Sequence, residues 1–549
     1  MTIGGASRGE TRDHTASTAS LVPFFRPRSV AVVGASRDPA SIGYRLIESL
    51  QGSRFAGTIV PVNPNAAEIA GLRAAPSLLA VPGAVDLAVI AVPSDRVLGV
   101  VDECAAKQIP AVVVIAAGFA ETGAGGTSLE AQLREKVRRH GIRLIGPNCF
   151  GLMNLDPAVR LNATYTPAIP PAGRVAIAAE SGGLGISIVT AARRLNLGVS
   201  TFVSIGNHAD VSANDLLEYW EQDPNTDVIL LYLETIVEPG RFRRTAERVG
   251  RRKPIVVLKA GRTLTGQRAA GSHTAALATD ETAIEALFNQ CGVIRAETLE
   301  ELLALAAGLP NQSLPAGRRV GILTNSGGPG VLCADRCAAE GLLVPELSAR
   351  TRSTLASFFP PMATLTNPVD VIGFATEEQH ARAVETLLTA DEVDALIVLH
   401  VSVRAVDNPP VATGIERGLQ AGRRIVGRGK PVYICWMAEG DMDRTFAPGG
   451  ETIPTYPFPE IPARILSRAA SYDTWRRQPI GQVPSYTDVD LSAAKAMCAE
   501  ALSKRGSGWL SPEETLALLT AMKLPLVPGS LATSAEDTAK AARQIGFPV

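Results

Sequence analysis

Arg174-Val-Ala-Ile-Ala-Ala-Glu-Ser-Gly-Gly-Leu-Gly185 and Arg319-Val-Gly-Ile-Leu-Thr-Asn-Ser-Gly-Gly-Pro-Gly330 carry one pattern twice. Each is an apolar run, a Ser-Gly-Gly turn and the start of a helical period. A strand that ends in a tight turn and re-enters as a helix is the opening of a parallel α/β layer. Its repetition predicts two related flavodoxin-like domains. Working outward from the first copy, strands are predicted at 200–204, 228–233 and 255–259. From the second copy they are predicted at 395–400 and 431–436. Upstream, five more apolar runs (29–33, 57–62, 87–92, 111–116 and 143–145) alternate with helical patterns and predict one doubly wound domain.

The expected domain plan is therefore a disordered lead-in over 1–22, the first doubly wound domain over 23–155, and flavodoxin-like domains over 165–312 and 317–472. A polar linker over 473–507 follows, then a further segment over 508–549. In that last segment Leu510-Ser-Pro-Glu-Glu514 predicts a helix with Ser511 as N-cap and Pro512 in its first turn.

The chain has 549 residues, of which 46% are hydrophobic and 19% charged, with a formal net charge of −1. Such a length divides into several domains with ample core. Without a clustered basic face, nucleic-acid capture is not expected. No apolar run approaches the roughly 20 residues of a membrane helix, so no membrane association is expected. Met1–Ser20 is polar and lacks an apolar signal core. Seven cysteines without a CxxC pair suit a reducing cytoplasm.

His273 is the candidate for chemistry. It stands in Gly271-Ser-His-Thr-Ala-Ala-Leu277, among small residues that let a bulky ligand approach. A neutral imidazole is nucleophilic near neutral pH and can accept and return a phosphoryl group. The two Ser-Gly-Gly turns could each present backbone amides and a helix N-terminus to a phosphate. Upstream, Val30-Ala-Val-Val-Gly-Ala-Ser36 is a further strand-to-turn passage, with Gly34 and Gly43 permitting close backbone approach. Its spacing is not GxGxxG. Val60-Pro-Val-Asn-Pro64 also stands where a dinucleotide fold would hold its ribose-binding carboxylate, which counts against a nicotinamide oxidoreductase. Cys149, in a tight Gly-Pro-Asn turn, reads as a small packing residue rather than an acyl-carrying thiol.

Taken in order, a set of short motifs resembles the NDP-forming acyl-CoA synthetases, specifically the ADP-forming acetate–CoA ligases, kin of succinyl-CoA synthetase. The set is Val33-Gly-Ala-Ser36, Val62-Asn-Pro64, Ala91-Val-Pro93, Gly118-Phe119, Gly146-Pro-Asn-Cys149, Ser181-Gly-Gly183, Leu231-Tyr-Leu-Glu234, Ser272-His-Thr274, Thr324-Asn-Ser-Gly-Gly328 and Asn367-Pro-Val-Asp370. The resemblance implies a Rossmann-like CoA-binding domain over 23–155, two flavodoxin-like ligase domains and an ATP-grasp domain that binds the nucleotide. It also implies a reaction in which acyl-CoA and phosphate give acyl phosphate and CoA. The phosphoryl group then passes to histidine and on to ADP.

By the same resemblance His273 is the phosphorylated residue and Glu234 the carboxylate that orients its ring. Ser181, Gly182, Gly183, Asn325, Ser326, Gly327 and Gly328 match phosphate-holding turns. Gly34, Ala35, Ser36, Arg37, Ile42, Val62, Asn63, Pro64, Val92 and Pro93 match the stretches that cradle CoA, with Gly118 and Asn148 near its thioester end. ATP or ADP with Mg2+ is expected to bind outside this chain, and no metal site is expected within it.

Two departures stand out. Ala179-Glu180 replaces the family's Ser-Gln, so either Glu180 points away from the phosphate or phosphate affinity falls. Residues 508–549 resemble only the opening of an ATP-grasp domain, so the sequence is expected to be a fragment of a longer synthetase, or else to need an ATP-grasp domain or subunit as partner. The expected substrates are an acyl-CoA or carboxylic acid and phosphate, and an oligomer is expected from the resemblance. A non-catalytic CoA-sensing module, as in an acetyltransferase fusion, is the alternative. Retained His273 and Glu234 weigh against it, since sensing needs neither.

Overall fold

The computed structural model describes residues 18–263, 265–268, 281–402, 408–438, 445–481 and 486–548. They form two compact units, Met1–Arg477 and Gln478–Val549.

The first unit holds three sheets. The first comprises β1 (Ser29–Val33), β2 (Thr58–Val62), β5 (Leu87–Ile90), β6 (Ala111–Val114) and β7 (Arg143–Ile145), in the order β2-β1-β5-β6-β7 and parallel throughout. A small hairpin, β3 (Glu68–Ile69) with β4 (Leu72–Arg73), lies outside it. The second sheet contains β8 (Gly151–Asn154), β9 (Leu161–Thr164), β10 (Ala172–Ala179), β11 (Val199–Ser204), β12 (Val228–Leu233), β13 (Ile255–Lys259) and β14 (Ile294–Ala296), ordered β14-β13-β12-β10-β11-β8-β9. The third contains β15 (Val320–Thr324), β16 (Val369–Asp370), β17 (Ala395–Val401), β18 (Val432–Met437) and β19 (Thr455–Tyr456), ordered β16-β15-β17-β18-β19.

The interior strands are apolar without alternation because helices cover both faces of a parallel sheet. Residues 175–179 of β10, Val-Ala-Ile-Ala-Ala, are all buried, as is every residue of β5, β6 and β11. The mixed α/β class and the doubly wound parallel sheets match the sequence-based expectation.

Three boundaries differ from that expectation. Leu21, Phe24 and Phe25 are fully buried, so residues from 18 onward are helix packed into the core rather than lead-in. Their i, i+3, i+4 spacing places them on one helical face, and Phe25 stacks on Tyr219 at 4.3 Å between centroids. Strand β8, placed at the close of the first domain, hydrogen-bonds antiparallel to β11 of the second sheet. The helix Glu460–Arg477 runs past the expected close at 472.

In the second unit the Ser511 side chain accepts from Glu514 N–H and the Glu514 carboxylate accepts from Ser511 N–H, with Pro512 opening the helix Pro512–Ala521. The Ser511 N-cap and the Pro512 start are those the sequence predicted, and the structure adds the reciprocal bond from Glu514. The helices Leu491–Arg505 and Ala535–Ile545 flank it.

Candidate active site

In a parallel sheet the loops at the carboxyl ends of the strands form the ligand crevice. Here the loops following β5, β6, β7, β10, β11 and β12 together line one cleft of about 1030 Å³. The first sheet contributes Val92, Pro93, Asn148 and, from the helix Ile42–Gly52, Ile42. The second contributes Ser181, Gly182, Gly183 and Glu234. Eight of the predicted site residues thus share one space, although they come from five separate segments.

Ser181 is the N-cap of the helix Gly182–Arg194, its hydroxyl accepting from Leu184 N–H at 3.4 Å. The first-turn amides of that helix have no intrahelical acceptor, and with the helix dipole they favour an anion. Glu234 follows the last residue of β12 and is only 8% exposed. Its Oε2 is buried without a hydrogen-bond partner among the described residues. A buried, unpaired carboxylate oxygen is costly, and so marks a place where a donor belongs.

Glu180 does not point away. It lines the cleft, and its Oε2 accepts from the N–H groups of Glu234 at 2.6 Å and Thr235 at 3.0 Å. Burial, with Glu234 close by, outweighs those bonds and raises its pKa to about 7.

The other residues expected to cradle CoA lie outside the cleft lining, most of them in the turns that close β1 and β2. Gly34, at φ +87°, sits so close to the next strand that a Cβ would lie 2.5 Å from Ala91 O. Its N–H donates to Val62 O, and the Asn63 amide donates to Ala35 O at 2.6 Å, tying the ends of β1 and β2 together. Ser36 Oγ accepts from Asp38 N–H, and Arg37 and Pro64 are exposed. Gly118 donates to Glu121 at 2.6 Å.

The second Ser-Gly-Gly turn lies elsewhere. Asn325 borders a separate cavity of about 240 Å³, and its side-chain amide is spent on both backbone groups of Val401, each at 2.8 Å. Ser326 caps the helix Gly327–Ala339, and Gly327 and Gly328 are exposed. His273, with Ser272 and Thr274, lies outside the described residues.

Several cleft residues had not been singled out. Asn207 donates to Glu121 at 2.6 Å and Glu130 at 2.8 Å, and receives Asn148 Nδ2 at 3.2 Å. Burial works against the charge of Glu121, but hydrogen bonds from Asn207 and the Gly118 amide hold its pKa below the usual carboxylate value. His208, at φ +45°, has Nε2 3.3 Å from Thr235 Oγ1, and burial pushes its pKa down. The available signal was position: Gly206-Asn-His208 directly follows a buried strand, at the end where parallel sheets bind ligands.

Three domain families match the chain in sequence. They are a CoA binding domain at residues 28–154, a succinyl-CoA ligase-like flavodoxin domain at 172–309 and a ligase-CoA domain at 320–477. Fold, cleft and domain order together define a CoA ligase related to succinyl-CoA ligase.

Among similar proteins, the alpha subunit of acetate–CoA ligase [ADP-forming] II from Pyrococcus furiosus is 42% identical over 417 residues, 76% of this chain and 89% of that one. Acetate–CoA ligase [ADP-forming] I from Archaeoglobus fulgidus is 35% identical over 531 residues, 96% of this chain and 74% of that one. A solved structure described as a Ca. Korarchaeum cryptofilum dinucleotide-forming acetyl-coenzyme A synthetase 1 with phosphate and ADP superposes with a TM-score of 0.77 at 38% identity, covering 83% of this chain and 97% of that one. The chain belongs to the ADP-forming acetate–CoA ligases, within the NDP-forming acyl-CoA synthetases, and is an acid–thiol ligase. No helix among the described residues is long and apolar enough to cross a membrane.

Proposed function

We propose that this chain carries out the CoA-side steps of an ADP-forming acyl-CoA synthetase through a phosphohistidine. Phosphate attacks the thioester carbonyl of acyl-CoA, forming acyl phosphate as the C–S bond breaks, and the phosphate proton goes to the departing thiolate. His273 then attacks phosphorus, releasing the carboxylate. ADP finally takes the phosphoryl group from His273, at an ATP-grasp domain or subunit that holds the nucleotide with Mg2+. Two relatives are themselves named as alpha subunits, which supports a partner of that kind.

Ile42, Val92 and Pro93 line the cleft as a wall for the cofactor's arm, while Gly34–Arg37 and Val62–Pro64 hold its nucleotide end. Gly118 and Asn148 stand by the thioester. The amides of Ser181–Gly183 receive phosphate, and Asn325–Gly328 serve the phosphoryl group at the nucleotide side. Glu234 fixes the His273 tautomer by accepting from one ring nitrogen, leaving the other to attack. The observation that carries this reading is the partnerless Glu234 Oε2 in the same cleft as the Ser181–Gly183 turn. Free cysteines, six buried and one exposed, support a reducing cytoplasmic setting, and an oligomer is proposed from the family resemblance.

The test is incubation of the full chain with acetyl-CoA and radiolabelled phosphate. Acid-labile, base-stable label is expected on the wild type and none on His273→Asn. Glu234→Gln should lower the labelling rate roughly tenfold, because the amide keeps an acceptor oxygen but loses the charge that strengthens its bond to the ring. Equal labelling of wild type and His273→Asn would refute the mechanism.

A further inference from the structure

The loop that leaves β12 has to place Glu234 on the cleft wall, and one side chain gathers its backbone. Both amides at the start of that loop, Glu234 N–H and Thr235 N–H, converge on Glu180 Oε2 at 2.6 and 3.0 Å. The other oxygen, Oε1, is 3.5 Å from Thr235 Oγ1, which is in turn 3.3 Å from His208 Nε2. Glu180 follows the last residue of β10, the strand paired with β12, and its own N–H donates to Tyr232 O at 3.1 Å. Backbone and side chain of one residue therefore brace both sides of the turn, and Glu180 and Glu234 face the same cleft.

We infer that Glu180 is a positioning residue, whose carboxyl group fixes the Glu234–Thr235 turn and so sets where the Glu234 carboxylate stands. This rests on the role of Glu234 proposed above. The charged and titratable groups facing Glu180 are Glu234 and Tyr232 from β12 and its end, Lys259 from β13 and His208 from the loop after β11. Only Lys259 among them favours a second negative charge, and its ammonium is turned to Ala260 O. Burial thus leaves Glu180 titrating near neutrality, at about 7. Losing its proton adds a negative charge to a wall that must receive a phosphate dianion.

Two variants separate position from charge. Glu180→Ala removes the acceptor, and Glu180→Gln keeps an acceptor oxygen while removing the ionisation. Both are measured as full chains with acetyl-CoA and radiolabelled phosphate, alongside CoA affinity and melting temperature. Glu180→Ala should label roughly tenfold more slowly or worse with CoA affinity unchanged, and Glu180→Gln should recover most of the rate. The phosphate KM of the wild type, divided by that of Glu180→Gln, should rise with pH through about 7. Taking the ratio cancels the titration of phosphate itself.

Wild-type labelling by Glu180→Ala, or a pH-independent ratio, would overturn the inference while leaving the phosphohistidine reading intact. A wild type that takes no label removes that reading, and the positioning role with it. If Glu180→Ala does not fold, the pH dependence of the ratio decides alone.

Discussion

At the scale of single residues, the cleft stores electrostatic cost in one place. A carboxyl group whose pKa is raised on folding holds, in the native state, a proton that the unfolded chain gives up. For Glu180 the rise is from 4.5 to about 7. Its stabilising contribution is complete below pH 4.5 and is lost as pH climbs through about 7. Glu180→Gln has no such proton to lose. Its melting temperature, relative to wild type at the same pH, should therefore rise steadily between pH 4.5 and 7 and level off above. Thermal scans of the two proteins in matched buffers measure this, and parallel curves would show that Glu180 titrates normally. Glu121, in the same cleft, shifts the opposite way because Asn207 and two backbone amides bond its charged form. Two carboxylates of one cleft, Glu180 buried and Glu121 half-buried, are thus separated by what donates to them, which is how one cavity can hold both a proton-bearing and a charged group.

At the scale of elements, the helix Ile42–Gly52 shows how tightly the turn proposed to hold CoA is built. A Cβ on Gly43 would fall 2.1 Å from Gly34 O and 2.9 Å from Ala35 Cα, both backbone atoms that cannot step aside. Gly43→Ala must push the helix off the turn and carry Ile42 with it, at a cost of about 1–3 kcal/mol by the usual penalty for overpacking. Gly52, at the other end of the same helix, has nothing within 4 Å. Gly52→Ala should leave stability unchanged or slightly raised. Calorimetric titration with CoA should show roughly tenfold weaker binding for Gly43→Ala and none of that loss for Gly52→Ala. Similar affinity in both variants would mean that the turn is not part of the CoA site.

The same contrast explains what could be read in advance. Interior strands such as β10 and β12 announce themselves because both faces are buried and the apolar run is continuous. Strands β8, β9, β16 and β19 did not: each is four residues or fewer, β8 joins β11 of a later domain, and β9 pairs only with β8. Within the site, Ser181–Gly183 was legible as a turn with its own local geometry. The Asn207–Glu121–Glu130 network was not, because its three members become neighbours only when two sheets meet.

At the scale of the whole molecule, the helix Glu460–Arg477 decides where the chain can be cut. It follows β19 of the third sheet, yet its far end is fastened to the second domain. Tyr472 Oη donates to Gly250 O at 2.6 Å, Trp475 Nε1 donates to Gln290 O at 3.1 Å, and the Arg251 guanidinium lies 4.4 Å over the Trp475 ring. Gly292 is pressed so close beneath that ring that a Cβ would reach 2.1 Å from Trp475 Cε3. Arg468 pairs at 3.1 Å with Glu301, which is 3% exposed. Every residue lining the cleft falls between 42 and 237, and the first compact unit closes at Arg477. A protein ending at Arg477 should therefore keep its CoA affinity, take up phosphate label at the wild-type rate, and melt within a few degrees of the full chain. One ending at 459 strips Tyr472 and Trp475 from an apolar cluster that also contains Leu302, Leu305 and Tyr456. Losing a large buried aromatic such as Tyr472 costs on the order of 3–5 kcal/mol, and the half-buried Trp475 adds to it, so that shorter protein should unfold at a far lower temperature or fail to accumulate. Melting curves and CoA titrations on the two truncations discriminate: equal stability of both would show that the terminal helix does not bind the second and third domains together.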